Sequence, residues 1–127
     1  MKPVPNNYTS HFKDELKEDE KLMWSDISYS DKNSVYAFTN KRIFIKKYKG
    51  SEKFKLRTFE IKEIPNIVLI EDDIVGTIKF GGSDPMRENA LAWGGKATVI
   101  QKFESIKNAQ EVYREILNLQ YGVVDES

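Results

Sequence analysis

From Leu22 to Phe103 apolar and polar residues alternate in short runs with the period of two that marks β-strands. Leu22 and Trp24, with Met23 and Ile27 beside them, predict a first strand that reaches about Tyr29, where the polar turn Ser28 to Asn33 takes over. Val35, Tyr36 and Phe38 carry a second strand over Ser34–Thr39. Asn40-Lys41 then turns the chain into a third, Arg42–Lys49, built on Ile43, Phe44, Ile45 and Tyr48. Lys49-Gly50-Ser51-Glu52 reads as a hairpin turn, because Gly50 can adopt a positive φ without a Cβ penalty. A fourth strand follows from Lys53 to about Ile61, and a fifth from Ile67 to Glu71. Past the acidic turn Asp72-Asp73 comes a sixth, Ile74 to Phe80, in which Gly76 marks a bend or bulge. Ala97 to Phe103 is the seventh.

Helical spacing appears in three places. Ser10 is placed to cap a short helix over His11–Glu18, with Phe12 and Leu16 on one face, inside a lead-in of residues 1–18. Within the glycine-flanked loop Gly81–Gly95, Asp84 followed by Pro85 predicts a second short helix running to Trp93. The strongest signal is C-terminal. Asn108 and Glu111 resemble a capping box, Ala109, Val112, Tyr113, Ile116 and Leu117 share one face, and Gly122 stands where a helix ends. Residues 123–127 then read as a frayed tail. Short turns favour antiparallel pairing, and a helix with one apolar stripe must lie on something apolar. The predicted class is therefore mainly β: one domain over residues 19–122, a bent sheet of about seven strands closed by a C-terminal amphipathic helix.

Three segments resemble the bacterial pleckstrin-homology (PH) domain family. They are Glu20-Lys21-Leu22-Met23-Trp24, the run Phe38-Thr39-Asn40-Lys41-Arg42-Ile43-Phe44-Ile45-Lys46-Lys47, and Phe103-Glu104-Ser105-Ile106-Lys107-Asn108-Ala109. The order of elements resembles that family too, from about Glu18 to Leu119. The resemblance implies a PH-like barrel of about seven antiparallel strands in two near-orthogonal sheets, plugged at one end by the helix. It also implies a tendency to self-associate, and little about activity, since the fold hosts many binding roles. In one place the chain departs from lipid-binding PH domains. The loop between the first two strands holds only Lys32, beside Asp31, so inositol-phosphate recognition is not carried over.

Charge and composition narrow the function without naming it. Twenty basic residues balance 20 acidic ones, so only local clustering can argue for an anionic partner. There is no cysteine, which removes disulfides, thiolate metal sites and thiol catalysis together. The sole histidine, His11, sits in the lead-in with no nucleophile in reach and reads as an ordinary surface residue. Asp72-Asp73 with Glu71 reads as an acidic turn, because calcium-loop spacing is missing. No catalytic, metal or cofactor site is predicted, and Trp24 and Tyr113 read as core residues. The N-terminus lacks the apolar stretch of a signal peptide and no run is long enough to span a bilayer, so a cytoplasmic protein is expected.

Two candidate surfaces follow. If Ile43, Ile45, Phe54 and Leu56 point inward, then Arg42, Lys46, Tyr48, Lys53, Lys55 and Arg57 form one outward basic face, with Phe44 among them. Such a face suits anionic lipid headgroups or, less well, a nucleic-acid backbone. The plain alternative is a solvated face whose lysines discourage edge pairing, or one neutralised by acidic residues 14 to 20. The second candidate is a partner-binding loop presenting Met86, Leu91 and Trp93, with folding back of Trp93 onto the barrel as its alternative. The expected function is a non-enzymatic binding or scaffolding domain acting through protein–protein contacts and homo-oligomers. Peripheral attachment to an anionic membrane surface through the third and fourth strands is the other reading.

Overall fold

A computed structural model describes residues 8–50, 53–81, 91–93, 96–98 and 101–122. Nine strands and one α-helix make up its regular elements: β1 Leu22–Ile27, β2 Ser34–Thr39, β3 Arg42–Lys49, β4 Lys53–Glu60, β5 Asn66–Asp72, β6 Val75–Gly81, β7 Leu91–Trp93, β8 Lys96–Thr98, β9 Gln101–Ile106 and α1 Ala109–Tyr121. They form an antiparallel sheet in the order β1-β2-β3-β4, a second in the order β5-β6-β9, and a separate two-stranded pair β7-β8. Among the described residues no ladder joins the two larger sheets into a closed barrel. The main-chain bond from Tyr29 N–H to Ser105 C=O, 2.9 Å, ties the end of β1 to the end of β9.

The main core lies between the sheets and under α1. Trp24, Phe38, Phe80 and Phe103 are fully buried there, with Ile43, Ile78, Ile106, Val112 and Ile116. Ala109, Val112, Tyr113 and Ile116 of the stripe predicted for the C-terminal helix close this core, with Leu119 rather than Leu117 beside them. At Gly76 the first residue of the helix lies tight against the sheet. A Cβ on that residue would stand 2.6 Å from the Ala109 Cβ and 3.3 Å from the Ile70 carbonyl oxygen. The β6–β9 register shifts between Gly76 and Ile78, as a glycine bulge would do. At the other end of α1, the Gln120 amide donates to the carbonyls of Ile61 and Ile64 at 3.0 and 2.9 Å, and Gly122 (φ 70°) ends the helix.

β2 is buried along its whole length, which a strand with one wet face would not be. The reason is a second, smaller cluster on the outer side of the first sheet: Phe12, Val35, Ala37 and Phe44, with Tyr8, Leu16, Tyr48 and Leu56 packed on it. The N-terminal segment lies across that face as a strap.

Several expectations are corrected here. The strap is two 3₁₀ turns, Thr9–His11 and Lys13–Glu15, and not the helix expected over His11–Glu18; Ser10 caps nothing. The carbonyls of His11 and Glu15 accept from Lys46 Nζ and Arg42 Nη2 of the sheet. Glu15 N–H turns back only as far as the Phe12 carbonyl. Asn108 makes no side-chain cap; it is left-handed (φ 56°), whereas a capping residue needs extended backbone. Leu91–Trp93 is a strand and not part of a helix, while residues 84–90 lie outside the described residues, as do residues 1–7 and the tail 123–127. The predicted seventh strand is divided: Lys96–Thr98 pairs with β7, and Gln101–Ile106 joins the second sheet. Ile74, placed at the start of the sixth strand, is instead 81% exposed on the β5–β6 turn.

Candidate functional site

The register of the β3–β4 hairpin decides which basic residues share a face. Lys49 stands opposite Lys53, Tyr48 opposite Phe54, Lys47 opposite Lys55, Lys46 opposite Leu56 and Ile45 opposite Arg57. Cross-strand partners point to the same side of a sheet. Phe54 and Leu56 therefore lie on the outer face with Arg42, Phe44, Lys46 and Tyr48. Lys53, Lys55 and Arg57 lie on the inner face, the side of Ile43 and Ile45. The six candidates expected on one surface are divided three and three.

On the outer face the cations are already engaged. Arg42 grips the Glu20 carboxylate through Nε and Nη2 at 2.8 and 2.5 Å, and its Nη2 also donates to the Glu15 carbonyl at 2.9 Å. Thr39 Oγ1 and the Lys17 N–H fill the remaining lone pairs of Glu20 at 2.8 and 2.9 Å. The Arg42 hydrogen bonds, more than any other partner, lower the Glu20 pKa to about 2 against the opposing effect of burial. Lys46 is buried; its ammonium donates to the His11 carbonyl at 2.7 Å, stands 3.6 Å from Glu15 and sits 4.0 Å over the Phe54 ring. Tyr48 meets the His11 ring nitrogen at 2.7 Å. His11 is thus a half-buried contact of the strap and not an ordinary surface residue. Beyond the strap's first turn, Tyr8, His11, Lys32 and Tyr48 line an open cleft of about 250 Å³.

The inner face differs in kind. Lys47, Lys49, Lys53, Lys55 and Arg57 are all exposed there, two of the four lysines on each strand, directly opposite one another. Among the described residues only Lys47 of these approaches a carboxylate, Asp31 at 3.7 Å; that carboxyl is held below its usual pKa chiefly by the Ser34 hydroxyl and the Asn33 N–H. No acidic side chain among the described residues pairs with Lys49, Lys53, Lys55 or Arg57. Like charges directly opposite on a ladder cost stability, so this arrangement is not what a strand pair selects for itself. Its sum is a compact positive field that an anion would relieve. Lys47 and Lys49 were missed as candidates, although the count of residues between Lys49 and Lys53 would have found them.

The other expected surface is described only in its backbone: Leu91 and Trp93 pair with Thr98 and Lys96, and Met86 lies outside the described residues. No helix among the described residues is long and apolar enough to cross a membrane.

No protein-family profile and no curated protein matches the chain. Solved structures do. A DUF1696 family protein with a pleckstrin-homology domain from Shewanella loihica superposes with a TM-score of 0.56 at 15% identity, over 88% of this chain and 92% of the other. A pleckstrin homology domain from Shewanella amazonensis gives 0.58 at 13% identity, over 88% and 84%. The chain therefore has the PH-like fold that its sequence resembles.

Proposed function

We propose that this chain is a non-catalytic binding domain that docks reversibly on an anionic membrane surface through the inner face of its β3–β4 hairpin. The observation that carries the reading is the two pairs of facing lysines, Lys47 with Lys55 and Lys49 with Lys53, extended by Arg57. A basic residue near an anionic surface contributes about 1 kcal/mol, so five give about 5 kcal/mol. That corresponds to a dissociation constant on the order of 0.1 mM, suited to attachment that is transient or cooperative. A PH-like fold supports a binding role in general, and the scarcity of cations in the β1–β2 turn argues for a surface rather than a single headgroup. The test is sedimentation with neutral and anionic vesicles at low and physiological salt, for the wild type and a Lys53→Glu/Lys55→Glu variant. Binding confined to anionic vesicles, weakened by salt and lost in the variant, is expected. Absence of binding at low salt defeats the proposal.

A second reading, self-association, is favoured by β5. It is the edge of its sheet, yet Ile67, Val68, Leu69 and Ile70 run along it half-buried, and Ile67 and Leu69 alone pack on the main core. Edge strands of that composition invite pairing with another chain. Light scattering at micromolar concentration is expected to show an oligomer that Val68→Lys dissociates; a wild-type monomer ends this reading.

A further inference from the structure

The strap is held on the outer face of the first sheet by a small set of specific contacts. Its one deep anchor is Phe12, fully buried and stacked on Phe44 at 5.8 Å between ring centroids. Tyr8 and Leu16 pack beside it and His11 meets Tyr48, but much of the hold is on the main chain: Lys46 and Arg42 reach the carbonyls of His11 and Glu15, and the Ser25 hydroxyl accepts the Tyr8 N–H at 2.8 Å. Two carboxylates, Glu15 near Lys46 and Glu20 on Arg42, complete the match. A pocket for one side chain, hydrogen bonds to the main chain, and basic groups that select acidic side chains are features by which folded domains hold a short peptide. Holding one buried and one half-buried cation against a non-repetitive segment is a weak way to stabilise a fold, since their desolvation offsets much of the attraction.

We infer that the outer face of β2, β3 and β4 is a peptide-docking groove, occupied in cis by residues 8–20. Its partner is an acidic segment of another protein with an aromatic residue followed three positions later by Glu, which displaces the strap. This face is separate from the lysine ladder, and the inference stands whether or not the hairpin binds membranes. The cleft beyond Tyr8 gives such a segment room to extend past the strap's first turn.

The test uses the full chain carrying Phe12→Ala, which removes the cis anchor, and a fluorescent peptide of residues 8–20 with the native sequence. Peptide binding to the variant, at least tenfold weaker for the intact chain because its groove is filled, and at least tenfold weaker for a peptide with Phe12→Ala, is expected. If the variant does not fold alone, the native peptide is expected to restore its cooperative thermal transition by binding the folded state. A folded variant that ignores the peptide, or an unfolded one that the peptide does not restore, overturns the inference. So does a concentration-dependent wild-type dimer that the peptide dissociates, because the groove would then belong to a second copy.

Discussion

Two carboxylates respond to folding in opposite directions, and the difference can be measured. Glu20, held near a pKa of about 2 chiefly by Arg42, is lowered from the value of about 4.3 typical of an unfolded chain. A lowered pKa contributes stability that is fully present above the unfolded value and lost as pH falls through the folded one. Glu20→Gln keeps the shape and removes the charge, leaving Arg42 half-buried without its counter-ion. A loss of about 2–3 kcal/mol at pH 7, shrinking as pH falls from about 4 towards 2, is expected in urea unfolding. Asp26 behaves in the reverse sense. It is buried on the inner face of β1, and its raised pKa comes first from burial, against the bond from Ile27 N–H (2.7 Å) and the charge of Lys107. Its favourable contribution exists below the unfolded carboxylate value and disappears as pH rises through the folded one. Asp26→Asn should therefore stabilise the domain at pH 7 by about 1 kcal/mol, with no difference at pH 3. At Gly76 the argument is steric. Gly76→Ala drives a Cβ into Ala109 and the Ile70 carbonyl, and a cost of about 1–3 kcal/mol in thermal unfolding is expected.

At the scale of elements, most of the architecture was legible because hydrophobic period and turn chemistry are local. β2 and β3 have the boundaries their alternation predicts, and four of the five stripe residues of α1, all but Leu117, lie on the core. What local pattern could not carry was parity. Lys49 pairs with Lys53, so three residues separate the strands, and an odd connection places even-numbered residues of β3 opposite even-numbered residues of β4. Reading Phe54 and Leu56 as core residues inverted β4. Leu56 serves the outer cluster under the strap, a second apolar surface that a one-core reading has no place for, and Phe54 lies exposed on the same face beside Tyr48 and Lys46. The strap was misread for a related reason. Phe12 and Leu16 have helical spacing, but the sheet's cations take the carbonyls that a helix would use. The corrected register makes its own prediction. In Lys55→Glu the new carboxylate faces Lys47, turning a repulsive cross-strand pair into an attractive one, and a gain of up to about 1 kcal/mol in denaturant stability is expected. A variant more stable yet unable to bind anionic vesicles would mark the ladder as kept for function at the expense of the fold. A variant that is less stable argues that the lysines are structural.

For the whole molecule the question is whether position or sum governs attraction to an anionic surface. The chain carries no net charge, so its average field offers nothing to a membrane at long range. Its charges are instead sorted, with Lys49, Lys53, Lys55 and Arg57 on one hairpin paired with no acidic side chain among the described residues, and acidic residues of the strap spent on Arg42, Lys46 and Lys41 elsewhere. Such a molecule should bind only in one orientation and only within about a Debye length, ~10 Å at 0.1 M salt. Two variants of equal charge separate position from sum. Lys53→Glu/Lys55→Glu and Lys13→Glu/Lys17→Glu each take the formal charge from 0 to about −4, the first on the ladder and the second at exposed positions of the strap. If the ladder is the site, the first variant loses vesicle binding and the second keeps most of it, with the slope of affinity against salt unchanged. Equal loss in both would mean that the attraction follows total charge, and the facing lysines would then need another explanation.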